Sequence, residues 1–196
     1  MGRQGSISRQ TNETSIVVKL ELDGSGSYRG SSSIPALDHF LAQLARHGLF
    51  DLAIEARGDL EVDNHHTVED LGICLGQALR QAVGNKAGLN RYGSALIPMD
   101  EALVQVALDF SGRPYLAYGL ELPRDRIGSL ETELIEEFLR AFVNHSGLTL
   151  HVRRLDGHNC HHLVEALFKG LGRALREAVS LDPRVSGIPS TKGILV

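Results

Sequence analysis

The sequence predicts an α+β fold made of an internally duplicated half-domain, in which each half runs strands, helix, strand, helix and its helices pack on one side of a mixed sheet. Two observations predict this fold. Residues 36–83 and 134–179 follow the same course of helix, strand, turn and helix, which indicates an internal repeat. Stretches that alternate apolar and polar residues precede each pair of helices, and this period of two is typical of strands with one buried face.

The predicted strands upstream of the helices lie at residues 6–11 and 14–22 in the first half, and at 101–110 and 113–122 in the second. In the second of these stretches the apolar side chains fall on alternate positions, at Ile16, Val18, Leu20 and Leu22. That face should lie against the helices, because a half-buried strand turns every second side chain inward.

Each half then contains two helices with apolar residues at helical spacing. In the first helices these residues are Leu37, Phe40, Leu41 and Leu44, matched by Leu134, Phe138, Leu139 and Phe142. In the second helices they are Val68, Leu71, Leu75, Leu79 and Ala82, matched by Val164, Leu167, Phe168, Leu171 and Leu175. Gly48 and Gly147 are predicted to end the first helices and to lead into strands at 49–56 and 148–155.

These elements divide the chain into a first half at residues 1–92, a second half at 93–182 and a tail at 183–196. The tail contains two prolines and two glycines, which favour a loop. The sequence leaves open whether the tail is ordered without a partner or ligand.

The composition narrows the class of protein. The chain has 196 residues, 42% of them hydrophobic, so it can bury a sizeable core. The net charge is −4 and both signs are interspersed, which argues against a nucleic-acid partner. The sequence shows no apolar run long enough for a membrane span and no signal peptide, so we expect a cytoplasmic protein without a membrane partner. With only Cys74 and Cys160, stability beyond the core should come from metal or assembly.

The most specific pattern is HHxxE at the start of each second helix. It places His65, His66 and Glu69 in one half and His161, His162 and Glu165 in the other. The glutamate lies four residues after the first histidine and three after the second, so all three side chains gather near one helix end. Adjacent histidines point about 100° apart, so two metal ions shared between the clusters fit better than one ion per cluster.

His39 and Glu137 extend this pattern, because they occupy equivalent positions on the first helices of the two halves. The combined set offers five imidazoles and three carboxylates to two divalent ions with open positions. No cysteine lies in the ligand register, which favours manganese or iron over a closed structural zinc site. A metal bound here would act as a Lewis acid on a substrate.

Longer stretches resemble one enzyme family over almost the whole chain. They are RQTNETSI, LDHFLAQLARHGLFDL, DNHHTVEDLGICLGQAL, NRYG, SGRPYL, GLTLHV, HNCHHLVEALFK and PSTKG. On these motifs the sequence resembles imidazoleglycerol-phosphate dehydratases. The resemblance implies a metal-dependent hydro-lyase of L-histidine biosynthesis that converts imidazole glycerol phosphate to imidazole acetol phosphate. It also implies a duplicated fold like domain 2 of ribosomal protein S5, two Mn²⁺ ions per active site, and a homo-oligomer of twenty-four subunits with sites at the interfaces.

Matching the family's motifs residue by residue implies roles for the individual side chains. One metal would be held by His39, His66, His161 and Glu165, and the other by His65, Glu69, Glu137 and His162. Glu137 departs from relatives that carry histidine there, although a carboxylate can also ligate manganese. The implied catalytic residues are Glu13, Glu69 and Glu165, with Glu13 favoured as acid or base. The implied substrate contacts are Glu13, His39, His47, His65, Glu69, Arg91, Arg113, His161, Lys169, Ser190, Thr191 and Lys192.

Two other functions remain open at this point. A dimetal hydrolase of a phosphate ester would also use two metals and basic residues, and phosphate release would reveal it. A non-enzymatic, metal-bridged assembly would use the HHxxE clusters only to join subunits. Arg91, Arg113 and the PSTKG motif would then have no function.

Overall fold

The computed structural model describes residues 2–195, so Met1 and Val196, the ends of the first and last predicted segments, lie outside it. Within that range two four-stranded sheets enclose a layer of four helices. The first half consists of β1 (Gln4–Gln10), β2 (Thr14–Glu21), β3 (Tyr28–Ser31), α1 (Pro35–Gly48), β4 (Asp51–Gly58) and α2 (His65–Val83). The second consists of β5 (Tyr92–Met99), β6 (Ala102–Asp109), β7 (Tyr115–Gly119), β8 (Arg126–Ile127), β9 (Leu130–Glu131), α3 (Glu133–Ser146), β10 (Thr149–Asp156) and α4 (Cys160–Val179).

The two sheets have the same topology. The first has the strand order β1-β2-β4-β3 and the second has β5-β6-β10-β7. In each sheet the pairs are antiparallel except at one edge, where β3 runs parallel to β4 and β7 runs parallel to β10. The prediction of a mixed sheet in each half, with helices on one side, is therefore confirmed. The short hairpin of β8 and β9 precedes α3, at a point where the first half passes directly from β3 to α1.

The predicted apolar faces form the core. Every residue of the four predicted helix faces is buried, and the most exposed of them, Ala82, is 5% exposed. Ile16, Val18, Leu20 and Leu22 are also buried on the helix-facing side of the first sheet. These side chains belong to one continuous cluster that spans both halves, so neither half has a separate core. The division after residue 92 stays a prediction.

The helices pair across the repeat, α1 with α4 and α2 with α3. A Cβ on Gly172 of α4 would lie 2.5 Å from the carbonyl oxygen of Leu44 in α1, and a Cβ on Gly76 of α2 would lie 2.5 Å from the carbonyl oxygen of Phe142 in α3. Only glycine permits so close a backbone approach. In each pair, residues near the N-terminus of one helix lie beside residues near the N-terminus of the other, and the same holds closer to the C-termini. The paired helices therefore run in the same direction.

The predicted helix ends hold for α3 and shift by one residue for α1. Gly147 follows α3 in the left-handed conformation, with φ 75°. In α1, Gly48 is still helical and Leu49 adopts the left-handed conformation, with φ 56°. A Cβ on Gly48 would lie 2.5 Å from the Phe50 ring, so this glycine makes room for Phe50 and leaves the chain reversal to the next residue.

The tail is irregular but docked. The N–H of Asp182, just before the tail, donates to the carbonyl of Gly88, and the Gly88 N–H donates to the carbonyl of Gly187 within the tail, so the tail lies along the segment that joins the two halves. Among the helices of residues 2–195, none has the length and hydrophobicity that crossing a membrane requires.

Candidate metal and substrate site

Three predicted metal ligands converge at the start of the α1 and α4 pair. His39 comes from α1, and His161 and Glu165 come from one face of α4. The Nε2 atoms of His39 and His161 lie 2.9 and 3.1 Å from the same Glu165 oxygen, Oε2. Two imidazole nitrogens and a carboxylate directed at one point make a donor set that suits a first-row divalent ion.

The other oxygen of Glu165 is bound by Lys169, whose Nζ lies 2.6 Å from Oε1. Burial alone would raise the pKa of Glu165, but hydrogen bonds from Lys169 and His39 outweigh it and lower the pKa to about 2. Glu165 is therefore ionised at neutral pH, as a metal ligand must be.

The equivalent residues of the α2 and α3 pair are His65, Glu69 and Glu137, as the duplication predicts. Within residues 2–195, only His39, His161 and Glu165 bring three ligand atoms within 4.8 Å of one another. Glu137 is directed along its own helix, where its Oε1 lies 3.9 Å from Nε of Arg140. His65, Glu69 and Glu137 therefore lie on the expected helices, but their ligand atoms do not converge on one point.

His66 and His162 do not join either set within the chain. Nδ1 of His66 lies 3.0 Å from Oδ2 of Asp59, and Nδ1 of His162 lies 2.7 Å from Oε2 of Glu101. The ring centroids of the neighbours His161 and His162 are 6.5 Å apart, and adjacent positions on a helix point about 100° apart. The four-residue sets implied by the resemblance therefore stay predictions, with three members on each helix pair and the fourth directed elsewhere.

The two contacts also affect protonation. The hydrogen bond with Asp59 raises the pKa of His66, and the one with Glu101 raises the pKa of His162. The hydrogen bond with His162 in turn lowers the pKa of Glu101 to about 2.

Sequence reasoning missed Asp59 and Glu101. A signal for Glu101 was present, because the turn before β6 reads DEALVQV where the turn before β2 reads NETSIVV, which aligns Glu101 with Glu13. Glu13 lies at the turn between β1 and β2, with its Oε2 3.9 Å from Nδ1 of His66. It is thus near a predicted metal ligand, and its role as acid or base stays a prediction.

Most of the predicted phosphate contacts line a cleft that is separate from the gathered metal ligands. A cleft of about 710 Å³ is lined by Arg91, Tyr92, Arg113, Pro189, Ser190, Thr191, Lys192, Ile194 and Leu195. It therefore joins residues of the segment before β5, the loop before β7 and the tail. Three cationic side chains and two hydroxyls can bind a phosphate dianion here.

Arg91 and Arg113 differ in their surroundings. The Arg91 guanidinium donates to both oxygens of Asp109 at 2.7 and 3.0 Å, and to the carbonyl of Pro189 at 2.9 Å. The Arg113 guanidinium makes no ion pair in the described part of the chain. Arg91 thus shapes the cleft and holds the tail, whereas Arg113 is available to a ligand.

The cleft and the metal ligands lie at opposite ends of the second sheet. Tyr92 pairs with Asp109 at the cleft end, and Met99 pairs with Ala102 at the other end, beside Lys169. The two ends lie seven residue steps apart along β5, which corresponds to roughly 23 Å. One substrate of ordinary size cannot touch both places in a single chain.

His47 and Lys169 lie apart from the cleft. His47 is near the end of α1, where burial and then the charges of Lys169 and Arg173 lower its pKa. Lys169 is bound to Glu165. The structure therefore places five of the predicted substrate contacts in the cleft, and His39, His161 and Lys169 at the gathered metal ligands, whereas Glu13, His65 and Glu69 join neither group.

Comparison with known proteins shows the family. The sequence profile of imidazoleglycerol-phosphate dehydratases matches residues 32–175. The imidazoleglycerol-phosphate dehydratase of Moorella thermoacetica is 74% identical over 195 residues, covering 100% of both chains. This chain belongs to the imidazoleglycerol-phosphate dehydratase family. The enzyme of the same name from Synechococcus sp. (strain CC9605) is 58% identical, covering 100% of this chain and 97% of that one.

Solved structures of imidazoleglycerol-phosphate dehydratases share the fold. That of Staphylococcus aureus has a TM-score of 0.83 and 36% identity, covering 91% of this chain and 99% of that one. That of Pyrococcus furiosus, in complex with (S)-C348, has a TM-score of 0.82 and 38% identity, covering 96% of this chain and 100% of that one. The chain is accordingly a hydro-lyase of a metal-dependent family, and it dehydrates imidazoleglycerol phosphate in histidine biosynthesis. Neither alternative from the sequence, hydrolase or non-enzymatic assembly, is favoured by these relatives.

Proposed function

We propose that this chain performs the dehydration with two Mn²⁺ ions per active site, and that each active site is composed of residues from several copies of the chain. The observation that carries the proposal is the separation of the phosphate cleft from the gathered ligands His39, His161 and Glu165 by the length of the second sheet. A neighbouring copy that sets its cleft against these ligands would unite the two groups.

The metal ligands support the same arrangement. Within residues 2–195 no fourth histidine, cysteine or carboxylate joins His39, His161 and Glu165, and Nδ1 of His66, the expected fourth ligand, lies against Asp59 instead. We propose that His66 of a neighbouring copy completes this set. By the duplication, His65, Glu69 and Glu137 are completed in the same way by His162 of a neighbour. Ligands shared between copies make the metal part of the interface.

The bound ions supply Lewis-acid activation of the substrate, whose reacting carbon has no carbonyl beside it. The side chains of this chain supply the rest. Arg113, Lys192 and the hydroxyls of Ser190 and Thr191 hold the phosphate, while Arg91 keeps the tail against the cleft. His47 and Lys169 line the substrate on the metal side. Glu13 transfers the proton, and its side chain is 55% exposed and so can reach a substrate.

The family resemblance implies a homo-oligomer of twenty-four subunits, and the sequence predicts that it is cytoplasmic. A closed symmetric assembly would give every cleft the same neighbour. Shared ligands explain why such an assembly and the active site would form together.

Metal removal tests the proposal. We expect the purified protein to hold about two divalent ions per chain, and a chelator to abolish dehydration until Mn²⁺ is restored. Elemental analysis and activity on the same samples provide the measurement, and phosphate release in the same assay should stay at background. Full dehydratase activity in metal-free protein would contradict the proposal.

A further inference from the structure

Two carboxylates make equivalent contacts with the two histidines that stand outside the gathered ligands. The carboxylate of Asp59 lies 3.0 and 3.2 Å from Nδ1 of His66, and the Glu101 carboxylate lies 2.7 Å from Nδ1 of His162. In both cases Nδ1 is the occupied nitrogen. Among the described residues, the only carboxylate near Nε2 of His162 is that of Asp100. Its Oδ2 lies 3.7 Å away, which is beyond hydrogen-bond distance.

The two contacts arise separately in the two halves. Asp59 follows β4, whereas Glu101 belongs to the turn between β5 and β6. The residue equivalent to Asp59 in the second half is Gly157, which has no side chain, and the residue equivalent to Glu101 in the first half is Glu13, whose Oε2 remains 3.9 Å from Nδ1 of His66. The two halves therefore place carboxylates from different positions against Nδ1 of equivalent histidines. This indicates that the hydrogen bond to Nδ1 is itself functional.

A neutral imidazole carries one N–H. When Nδ1 donates it to a carboxylate, the lone pair is on Nε2, which points away and can bind a metal. The same hydrogen bond limits rotation of the ring and makes the ligand nitrogen more basic.

We propose that Asp59 and Glu101 are positioning residues, which fix the tautomer and direction of His66 and His162 before these histidines bind a neighbouring copy's metal ion. The inference rests on the proposed function, because it assumes that the two histidines are ligands.

This division of work also explains an asymmetry between the halves. Glu13 and Glu101 are equivalent by the repeat, but the Glu13 side chain is 55% exposed and that of Glu101 is 30% exposed. Since Asp59 holds His66, Glu13 is left without that task and is available to substrate. Glu101 is committed to His162.

The test measures manganese affinity of the assembled protein by competition with a chelator. Asp59→Ala and Glu101→Ala should each weaken the binding of one of the two ions by about 10- to 100-fold and leave the other unchanged. Asp156→Ala is the control, because it removes a carboxylate near α4 that accepts the N–H of Gly157 instead of binding a histidine, and it should bind both ions with the parent's affinity.

Conservative variants separate positioning from mere structural support. Asp59→Asn and Glu101→Gln keep an oxygen that accepts the Nδ1 proton, so they should recover most of the lost affinity. The helical circular dichroism of all variants should match that of the parent.

Affinities of both alanine variants within about twofold of the parent, or amide variants as weak as the alanine ones, would overturn the inference. In either case the parent still binds two ions, so the proposed function survives. A parent that binds no manganese would overturn both together.

Discussion

Arg91 and Arg113 line the same cleft, but their guanidinium groups hold different partners, and this sets their expected mutant phenotypes apart. Arg113→Ala should raise the KM for substrate with metal content and stability unchanged, because a charge-assisted contact contributes about 1.5 to 3 kcal/mol. Arg91→Ala should in addition lower the thermal stability, since it leaves Asp109, which is 18% exposed, without its partner and releases Pro189. Steady-state kinetics and thermal unfolding of both variants provide the measurement. An Arg113→Ala enzyme with the parent's KM would remove Arg113 from the phosphate site, and equal stability of the two variants would contradict the assigned role of Arg91.

Single residues were also where prediction from the sequence succeeded and failed most clearly. The register of HHxxE correctly places His161 and Glu165 on one face of α4, because helical spacing fixes which side chains share a face, whereas only the family resemblance grouped His39 with them. It could not find Asp59, whose contact with His66 depends on the path of the loop before α2.

Helix pairing depends on glycines that no side chain could replace. In Gly172→Ala the new methyl would meet the carbonyl oxygen of Leu44 at 2.5 Å, so α1 and α4 must separate, and we expect a loss of about 1 to 3 kcal/mol in the free energy of unfolding. Gly170→Ala is the matched control on the same helix, because its nearest neighbours are the side chains of Val106 and Ile97, which can yield, and alanine favours a helix by about 1 kcal/mol. Denaturant unfolding of the metal-free proteins gives both values, and equal midpoints would contradict a backbone contact at Gly172. At this scale the sequence predicts each helix and its buried face, since periodicity is local. It does not predict that α1 pairs with α4 or that β5 and the β8 and β9 hairpin form. Those features depend on contacts between residues far apart in the chain.

Assembly of the whole molecule should depend on the two histidines outside the gathered ligands. Replacing His66 and His162 together by alanine should yield smaller oligomers and no activity, because each proposed metal ion loses its ligand from another copy and with it the binding free energy that favours assembly. Glu137→His should preserve both particle and activity, because either side chain can ligate manganese. Light scattering and dehydratase assays on the same samples check this. A double variant that keeps the parent's mass would show that other contacts hold the copies together. The repeat could be seen in the sequence, but the distance between cleft and metal ligands could not, because it follows from the strand register of the second sheet.

The separation of cleft and metal ligands has a genetic consequence. Consider one allele that encodes Arg113→Ala, damaged only at the cleft, and another that encodes Glu165→Gln, damaged only at the metal ligands. Each alone should slow the growth of a cell that has to make its own histidine. When both are expressed together, mixed particles would contain some junctions at which an intact cleft from one gene product faces intact ligands from the other. The two defective alleles should therefore complement each other and restore growth without added histidine, whereas two alleles damaged at the same end of the sheet should not.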